Sequence, residues 1–264
     1  MGNVKEVVSL ETTQAPVARM NSVQEIAFPD FRKKVLSDAP GIRQSIGSGM
    51  VYIVKGALPE KELRDLRKRV HQRGLTTEST FHKILEGTPN FHQVVDEIRL
   101  YKILMRSHNY HFFYWNEDPL NVFSVFSETL GLFQRINGYQ PNHFVNKTPK
   151  DLLVSRFQIH HYPSGGGYMS EHSDPVKHVK TIMVTCMSRF GVDYFTEGLY
   201  LYDKENKKVS MDSRLEVGDM VLACPAIMHG CNPIDPDEKL DWASEKGRWM
   251  VLFNNLTSHC VSEG

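Results

Sequence analysis

From about residue 151 to the end of the chain, short apolar runs alternate with turn residues. Eight segments read as strands: 152–162, 167–172, 178–188, 198–203, 207–211, 219–224, 226–230 and 247–256. Turn signals separate them, among them Pro163-Ser164-Gly165-Gly166, Asp203 to Lys207, Gly218-Asp219 and Pro233 to Pro236. So many short strands in succession predict a jelly-roll barrel. The first half has another texture. In Pro59–Arg73, Leu63, Leu66 and Val70 fall at helical spacing behind Glu60 and Glu62, which predicts an amphipathic helix. The same period predicts helices over 91–106 and 118–136, with an aromatic strand at Tyr110–Trp115 between them and another strand at Met50–Val54. Residues 1–45, polar and broken by Pro16, Pro29 and Pro40, read as an extended lead-in with room for one short helix.

The expected organisation is one domain over 1–264, mainly β with packed helices. Residues 151–264 form its barrel core and carry the site, and a helical N-terminal half packs against it, with 46–150 as helical and β support. Composition narrows the function. Lys+Arg and Asp+Glu both number 31, so bulk positive charge offers nothing to nucleic acid. No apolar run approaches the roughly 20 residues of a membrane span. The start, MGNVKEVVSLETTQ, has no apolar leader core, and Glu6 stands where acylation of Gly2 would want Ser or Thr. The four cysteines make no CxxC pair, and they read as reduced, buried thiols of a cytoplasmic protein.

Chemistry concentrates in the strand-rich half. His172-Ser173-Asp174 puts an imidazole and a carboxylate two residues apart, which on a strand is one face. By itself such a tripeptide is most often a surface pair. His229 follows 55 residues later, in Ala226-Ile227-Met228-His229-Gly230. Two His and one carboxylate are the facial triad that suits Fe(II) and leaves coordination positions open. A structural zinc site would want four protein ligands and more sulfur. Arg248 opens an apolar last strand, where a buried guanidinium needs an anion. A carboxylate ligand or a surface pair with Glu245 would each serve. Tyr162 lies ten residues before His172, ahead of a glycine-rich hairpin with none of the sequence marks of a phosphate cradle.

Taken in order, Gln158-Ile159-His160-His161-Tyr162-Pro163, Gly167-Tyr168, His172-Ser173-Asp174, His229 and Arg248 resemble the 2-oxoglutarate- and Fe(II)-dependent dioxygenase superfamily, in its prolyl-hydroxylase-like branch. The resemblance covers residues 156 to the last strand. It implies a double-stranded β-helix, cupin-like core with Fe(II) held by His172, Asp174 and His229 as the catalytic centre. Arg248 would bind the distal carboxylate of the cosubstrate 2-oxoglutarate, and Tyr162 would donate to it. O2 is the oxidant, and succinate and CO2 are released. The family's basic residue usually follows the second His by about ten positions. Here the gap is nineteen, which implies an insertion over Ile234–Lys246. Related halogenases lack the carboxylate, so Asp174 favours oxygenation. Period-two alternation sends Arg156, Gln158 and His160 to the same side as Tyr162, as candidate contacts to a polar small molecule. A peptide hydroxylase, a desaturase or cyclase, a cupin dioxygenase without 2-oxoglutarate, and a non-catalytic binding protein are the alternatives. Neither nucleic acid nor membrane is an expected partner, and the sequence is silent on oligomeric state.

Overall fold

The computed structural model describes residues 18–100 and 103–260. The start of the lead-in, with Gly2 and Glu6, lies outside the described residues. In chain order the elements are β1 (Ser22–Ala27), α1 (Phe28–Gly47), β2 (Met50–Lys55), α2 (Glu60–Thr76), β3 (Phe91–Leu100), β4 (Ile103–Phe113), α3 (Val122–Val125), α4 (Ser127–Asn137), β5 (Leu153–Pro163), β6 (Gly167–His172), β7 (Ile182–Cys186), β8 (Leu199–Tyr202), β9 (Lys208–Ser210), β10 (Met220–Ala223), β11 (His229–Ile234) and β12 (Gly247–Thr257). The strands hydrogen-bond in the order β1-β2-β10-β7-β12-β5-β4-β6-β11-β8-β9, with β3 on the other edge of β4. β4 serves two branches, pairing β5 through residues 108–113 and β6 through Met105 and Arg106.

The longest ladder joins β5 and β12 without interruption from Pro163↔Gly247 to Leu153↔Thr257. Alternation along it divides the molecule. Phe157, Ile159, Trp249, Val251 and Phe253 face a core shared with Phe31, Val35 and Ile46 of α1, Leu63, Leu66 and Val70 of α2, and Leu130, Phe133 and Ile136 of α4. Tyr162 and Met250 face the other way, against Val184, Tyr194, Cys231 and Ile234. The two branches of the sheet therefore pack face to face and enclose an inner surface that the helices do not reach.

Three expectations fail, each for a local reason. Residues 18–45 are ordered as β1 and α1 rather than as an extended lead-in. Pro40 does not end α1. The helix kinks at Asp38 (φ −151°, ψ 65°), whose carboxylate accepts the Gly41 N–H at 2.9 Å and starts a second helical segment. Residues 91–106 are not a helix; β3 and β4 occupy them, so much of the N-terminal half is strand. Phe91 and His92 are both buried although they face opposite ways, and Glu97 (φ 54°) forms a bulge that shifts register between Asp96 and Ile98. Burial on both faces together with an extra residue imitates the helical period. Finally, 226–230 is mostly a turn. Ile227 N–H donates to Cys224 O across Pro225, so β11 starts at His229 rather than ending just after it.

A histidine cluster lies between α2 and the sheet. His92 and His108 share a 2.7 Å hydrogen bond, and the Tyr110 hydroxyl is 3.0 Å from the other nitrogen of His108. His161 stacks on Trp249 at 4.1 Å, with His71 edge-on to both. A side chain at Gly74 of α2 would collide with Tyr110 and His108, so glycine permits the approach. Burial first, and then the neighbouring histidines, push His108 down to about 3. Burial likewise holds His161 at about 3, against the opposing pull of the Lys246 carbonyl. Both are neutral when folded and titrate near 6.5 when unfolded, so between those limits the unfolded chain binds more protons. Their stabilisation is complete above about pH 6.5 and falls by about 1.4 kcal/mol per pH unit per histidine on acidification. Urea unfolding at pH 7, 6 and 5 is expected to show this loss, and His161→Phe to remove one histidine's share of the slope. A midpoint independent of pH over that range would contradict it.

Candidate metal and anion site

His172 ends β6 and His229 begins β11. The strands are antiparallel neighbours with these two residues directly opposite, so both rings stand at one end of the sheet, 4.3 Å apart between centroids. Asp174 follows as the chain leaves β6, where its N–H donates to Pro225 O at 2.9 Å and ties it to the turn before His229. The carboxylate oxygens lie 3.8 Å from His172 Nε2 and 3.6 Å from His229 Nε2. Among the described residues, this is the one group of three or more His, Cys, Asp or Glu whose ligand atoms gather within 4.8 Å.

The opposite ring nitrogens fix the tautomers. His172 Nδ1 lies 2.9 Å from Ser170 O and His229 Nδ1 lies 2.8 Å from Ile227 O. A carbonyl only accepts, so each Nδ1 carries the proton and donates. Each Nε2 then keeps a lone pair turned toward the carboxylate, as a metal-binding imidazole requires. Burial and the facing His229 lower the pKa of His172, with Asp174 opposing, so the proton-free nitrogen is favoured.

Arg248 lies one strand away, opposite Tyr162, and only 1% of it is exposed. It does not pair with Glu245, which takes Arg67 Nε at 2.6 Å. Its Nε donates to both oxygens of Asp212, at 3.1 and 3.0 Å. Asp212 is itself fully buried and also accepts the N–H groups of Gly198 and Leu199. Burial alone would favour a neutral guanidine, but Asp212 outweighs it and holds the Arg248 pKa well above its ordinary value. The terminal nitrogens Nη1 and Nη2 are buried and meet no acceptor. A side chain at Gly198 would press on Arg248 Cδ, Cys231 Sγ and Ile234 Cδ1, each at 2.8 Å, so glycine leaves the guanidinium its space.

Two buried phenols adjoin this cation. Tyr162 and Tyr194 are each 1% exposed, and burial raises both pKa values, so both hydroxyls stay protonated and able to donate. Tyr162 reaches only Met169 Sδ, at 3.9 Å, and the Tyr194 hydroxyl has no partner. Cys186 and Cys231 complete the apolar lining as thiols pushed up to about 12 by burial. Alternation held for β5. His160 and Gln158 are buried on the Tyr162 side, and Arg156 is partly buried there. The insertion after Ile234 is folded down: Asp235 accepts Ser164 Oγ and the N–H groups of Phe195 and Thr196, and Gly165 and Gly166 donate to carbonyls of Asp235 and Ile234.

Sequence reasoning missed Asp212 and Tyr194. Both lie between strands, in Met211-Asp212-Ser213-Arg214 and Val192-Asp193-Tyr194, where nothing in the local pattern separates an inward side chain from a turn residue. It also missed the inward residues of β4, because half of that strand read as helix.

The sequence of the chain matches no protein-family description and no curated protein. Solved structures do share its fold. The full-length Neurospora crassa thymine hydroxylase in complex with alpha-KG and 5-formyluracil is similar at 11% identity and a TM-score of 0.54, over 91% of this chain and 86% of that one. A Trichoplax adhaerens prolyl hydroxylase in complex with a hypoxia inducible factor peptide fragment is similar at 12% identity and a TM-score of 0.51, over 85% and 91%. A 2OG-Fe(II) oxygenase family protein from Caulobacter crescentus, described as putative, has 12% identity and a TM-score of 0.50, over 90% and 87%. The fold is therefore that of the 2-oxoglutarate/Fe(II) oxygenase superfamily.

The buried Arg248–Asp212 pair gives a stability prediction. Asp212→Ala leaves a guanidinium buried without its anion and is expected to cost about 3–5 kcal/mol in equilibrium unfolding. The double variant Asp212→Leu/Arg248→Met is expected to lose less than Asp212→Ala alone. Equal losses would mean that the two charges are not coupled.

Proposed function

We propose that this protein is an Fe(II)- and 2-oxoglutarate-dependent oxygenase that hydroxylates a C–H bond of a polar small molecule, on a double-stranded β-helix formed by the two facing branches of the sheet. One observation carries the reading. Three ligand atoms converge with both Nδ1 protons already committed to carbonyls, while the terminal nitrogens of Arg248 lie buried beside them with no acceptor. The first set fits a divalent metal and the second fits a carboxylate, and 2-oxoglutarate is a ligand that spans metal and cation.

In this reading His172, Asp174 and His229 hold the iron. Arg248 receives the distal carboxylate of the cosubstrate through Nη1 and Nη2, and the Tyr162 hydroxyl donates a hydrogen bond to it. When bound, the iron and 2-oxoglutarate supply the reduction of O2, with release of succinate and CO2 coupled to substrate oxidation. The protein's part is positional. The His–carbonyl hydrogen bonds hold the imidazoles in place, and Asp212 holds the guanidinium flat against the inner face. The apolar wall of Val184, Met250, Ile234 and Cys231 excludes water from the cosubstrate. Arg156, Gln158 and His160 line the route deeper into the sheet and face the substrate. The Neurospora crassa structure, which holds alpha-KG together with 5-formyluracil, supports the small-molecule reading at the level of fold. The four free cysteines support a reducing, cytoplasmic setting. Among the described residues no helix is long and apolar enough to cross a membrane.

The test combines anaerobic loading with Fe(II) and 2-oxoglutarate, exposure to air, and succinate detection across a panel of candidate metabolites. Asp174→Ala is expected to abolish succinate formation, and persistence of wild-type turnover would refute the iron assignment. Arg248→Ala is expected to raise the 2-oxoglutarate requirement at least about tenfold, as loss of a charge-assisted hydrogen-bonded pair should. An unchanged requirement would place the carboxylate elsewhere.

A further inference from the structure

The inner face of β4 carries a group of buried polar atoms that no protein partner satisfies. Asn109 lies directly opposite His160 in the β4–β5 ladder, and His111 lies opposite Gln158. Ser107 is two residues before Asn109 on the same side of β4, opposite Val95. All are at least nine-tenths buried: Ser107 is 0% exposed, Asn109 and His160 5%, and His111 7%. Yet Ser107 Oγ, Asn109 Oδ1, His111 Nδ1 and both ring nitrogens of His160 have no hydrogen-bond partner. Each such group costs about 1–3 kcal/mol when left dry. Natural folds carry only a few per hundred residues, not a cluster on two paired strands.

Position ties the cluster to the site. His160 stacks beside Tyr162 at 6.2 Å and feels the charges of Arg248 and His172, so it lies one pleat deeper than Tyr162 on the same inner wall. Its atoms are also chemically mixed. Asn109 Nδ2 is turned to Met105 Sδ at 3.7 Å, which leaves Oδ1 as a pure acceptor. Burial, together with Arg156 close by, holds His160 and His111 neutral, so each ring offers one donor and one acceptor. A carboxylate or phosphate would satisfy the donors and be repelled by Asn109 Oδ1 and the ring lone pairs. A group that both donates and accepts along one edge would satisfy the whole set.

We propose that Asn109 and His160, flanked by Ser107 and His111, form a substrate-recognition subsite for a neutral amide-type edge, in which N–H and C=O stand side by side as in a lactam, imide or nucleobase. This names a substrate class for the oxygenase proposed above and rests on that reading. Asn109 Oδ1 accepts the ligand N–H, and a protonated ring nitrogen of His160 donates to the adjacent carbonyl. Discrimination against a close analogue lacking the N–H should be large, because the site's own buried acceptor would be left unpaired.

Anaerobic calorimetric titration of the Fe(II)- and 2-oxoglutarate-loaded protein tests this, with uracil, 1,3-dimethyluracil and benzoate as probes. Uracil is expected to bind at least tenfold more tightly than either of the others. Asn109→Leu and His160→Leu are expected to abolish that preference while leaving 2-oxoglutarate affinity within about twofold, since neither residue is assigned to the cosubstrate. Their thermal midpoints are expected to hold or rise, because each removes an unsatisfied buried group. Equal binding of the dimethyl analogue, or no binding of uracil, would overturn the class. Weakened 2-oxoglutarate binding in the two variants would assign the cluster to the cosubstrate instead, and a fall in midpoint with uracil affinity unchanged would assign it to structure or ordered water. Failure of the wild-type protein to bind 2-oxoglutarate at all would sink the oxygenase reading rather than this one.

Discussion

The register between β5 and β12 is the constraint on which the site depends. Every other side chain of both strands is committed to the helix-backed core, and Trp249 stacked on His161 anchors that face. The remaining positions, Tyr162, His160 and Gln158 on one strand and Arg248 and Met250 on the other, then have nowhere to go but the inner surface. A slip of one residue would exchange the two sets, burying Arg248 among phenylalanines and turning Trp249 toward Asp212. The packing of α1, α2 and α4 therefore specifies the chemistry of a surface those helices never touch.

The ion pair between Arg248 and Asp212 changes how an anion would be recognised. A bare buried guanidinium would attract any negative ligand that fitted. With Asp212 bound to Nε, the pair carries no net charge, and what remains are the N–H groups on Nη1 and Nη2, aimed by the carboxylate behind them. Selectivity then rests on the direction of hydrogen bonds more than on the strength of a field. The carboxylate is in turn held by the backbone at Gly198 and Leu199, so the orientation is tied to the opposite branch of the sheet.

Legibility followed the physics of each segment. β5, β6 and β12 were readable because one face meets helices or the opposite sheet and the other meets the site, and His172, Asp174, His229 and Arg248 stood out by their order. The structure brings those four together with Tyr162, and the long gap before Arg248 proves to be a folded loop capped by Asp235. β3 and β4 were misread as a helix because both faces are buried and a bulge at Glu97 removes the alternation. That one error hid Ser107, Asn109 and His111. The kink in α1 concealed a long helix behind Pro40. Asp212 and Tyr194 left no trace in the local pattern, because their burial is decided by residues far away in the chain.

The two carbonyls behind His172 and His229 have a consequence for metal choice. Because each ring is already turned and its tautomer already set, little conformational entropy remains to be lost when an ion arrives. Preorganisation of that kind tightens binding without regard to which ion it is. A set of two imidazoles and one carboxylate follows the Irving–Williams order, in which copper, nickel and zinc all outrank ferrous iron. Faithful metalation would then be a property of the surrounding supply of ions, and purification in air with adventitious zinc would yield a well-folded, inert protein.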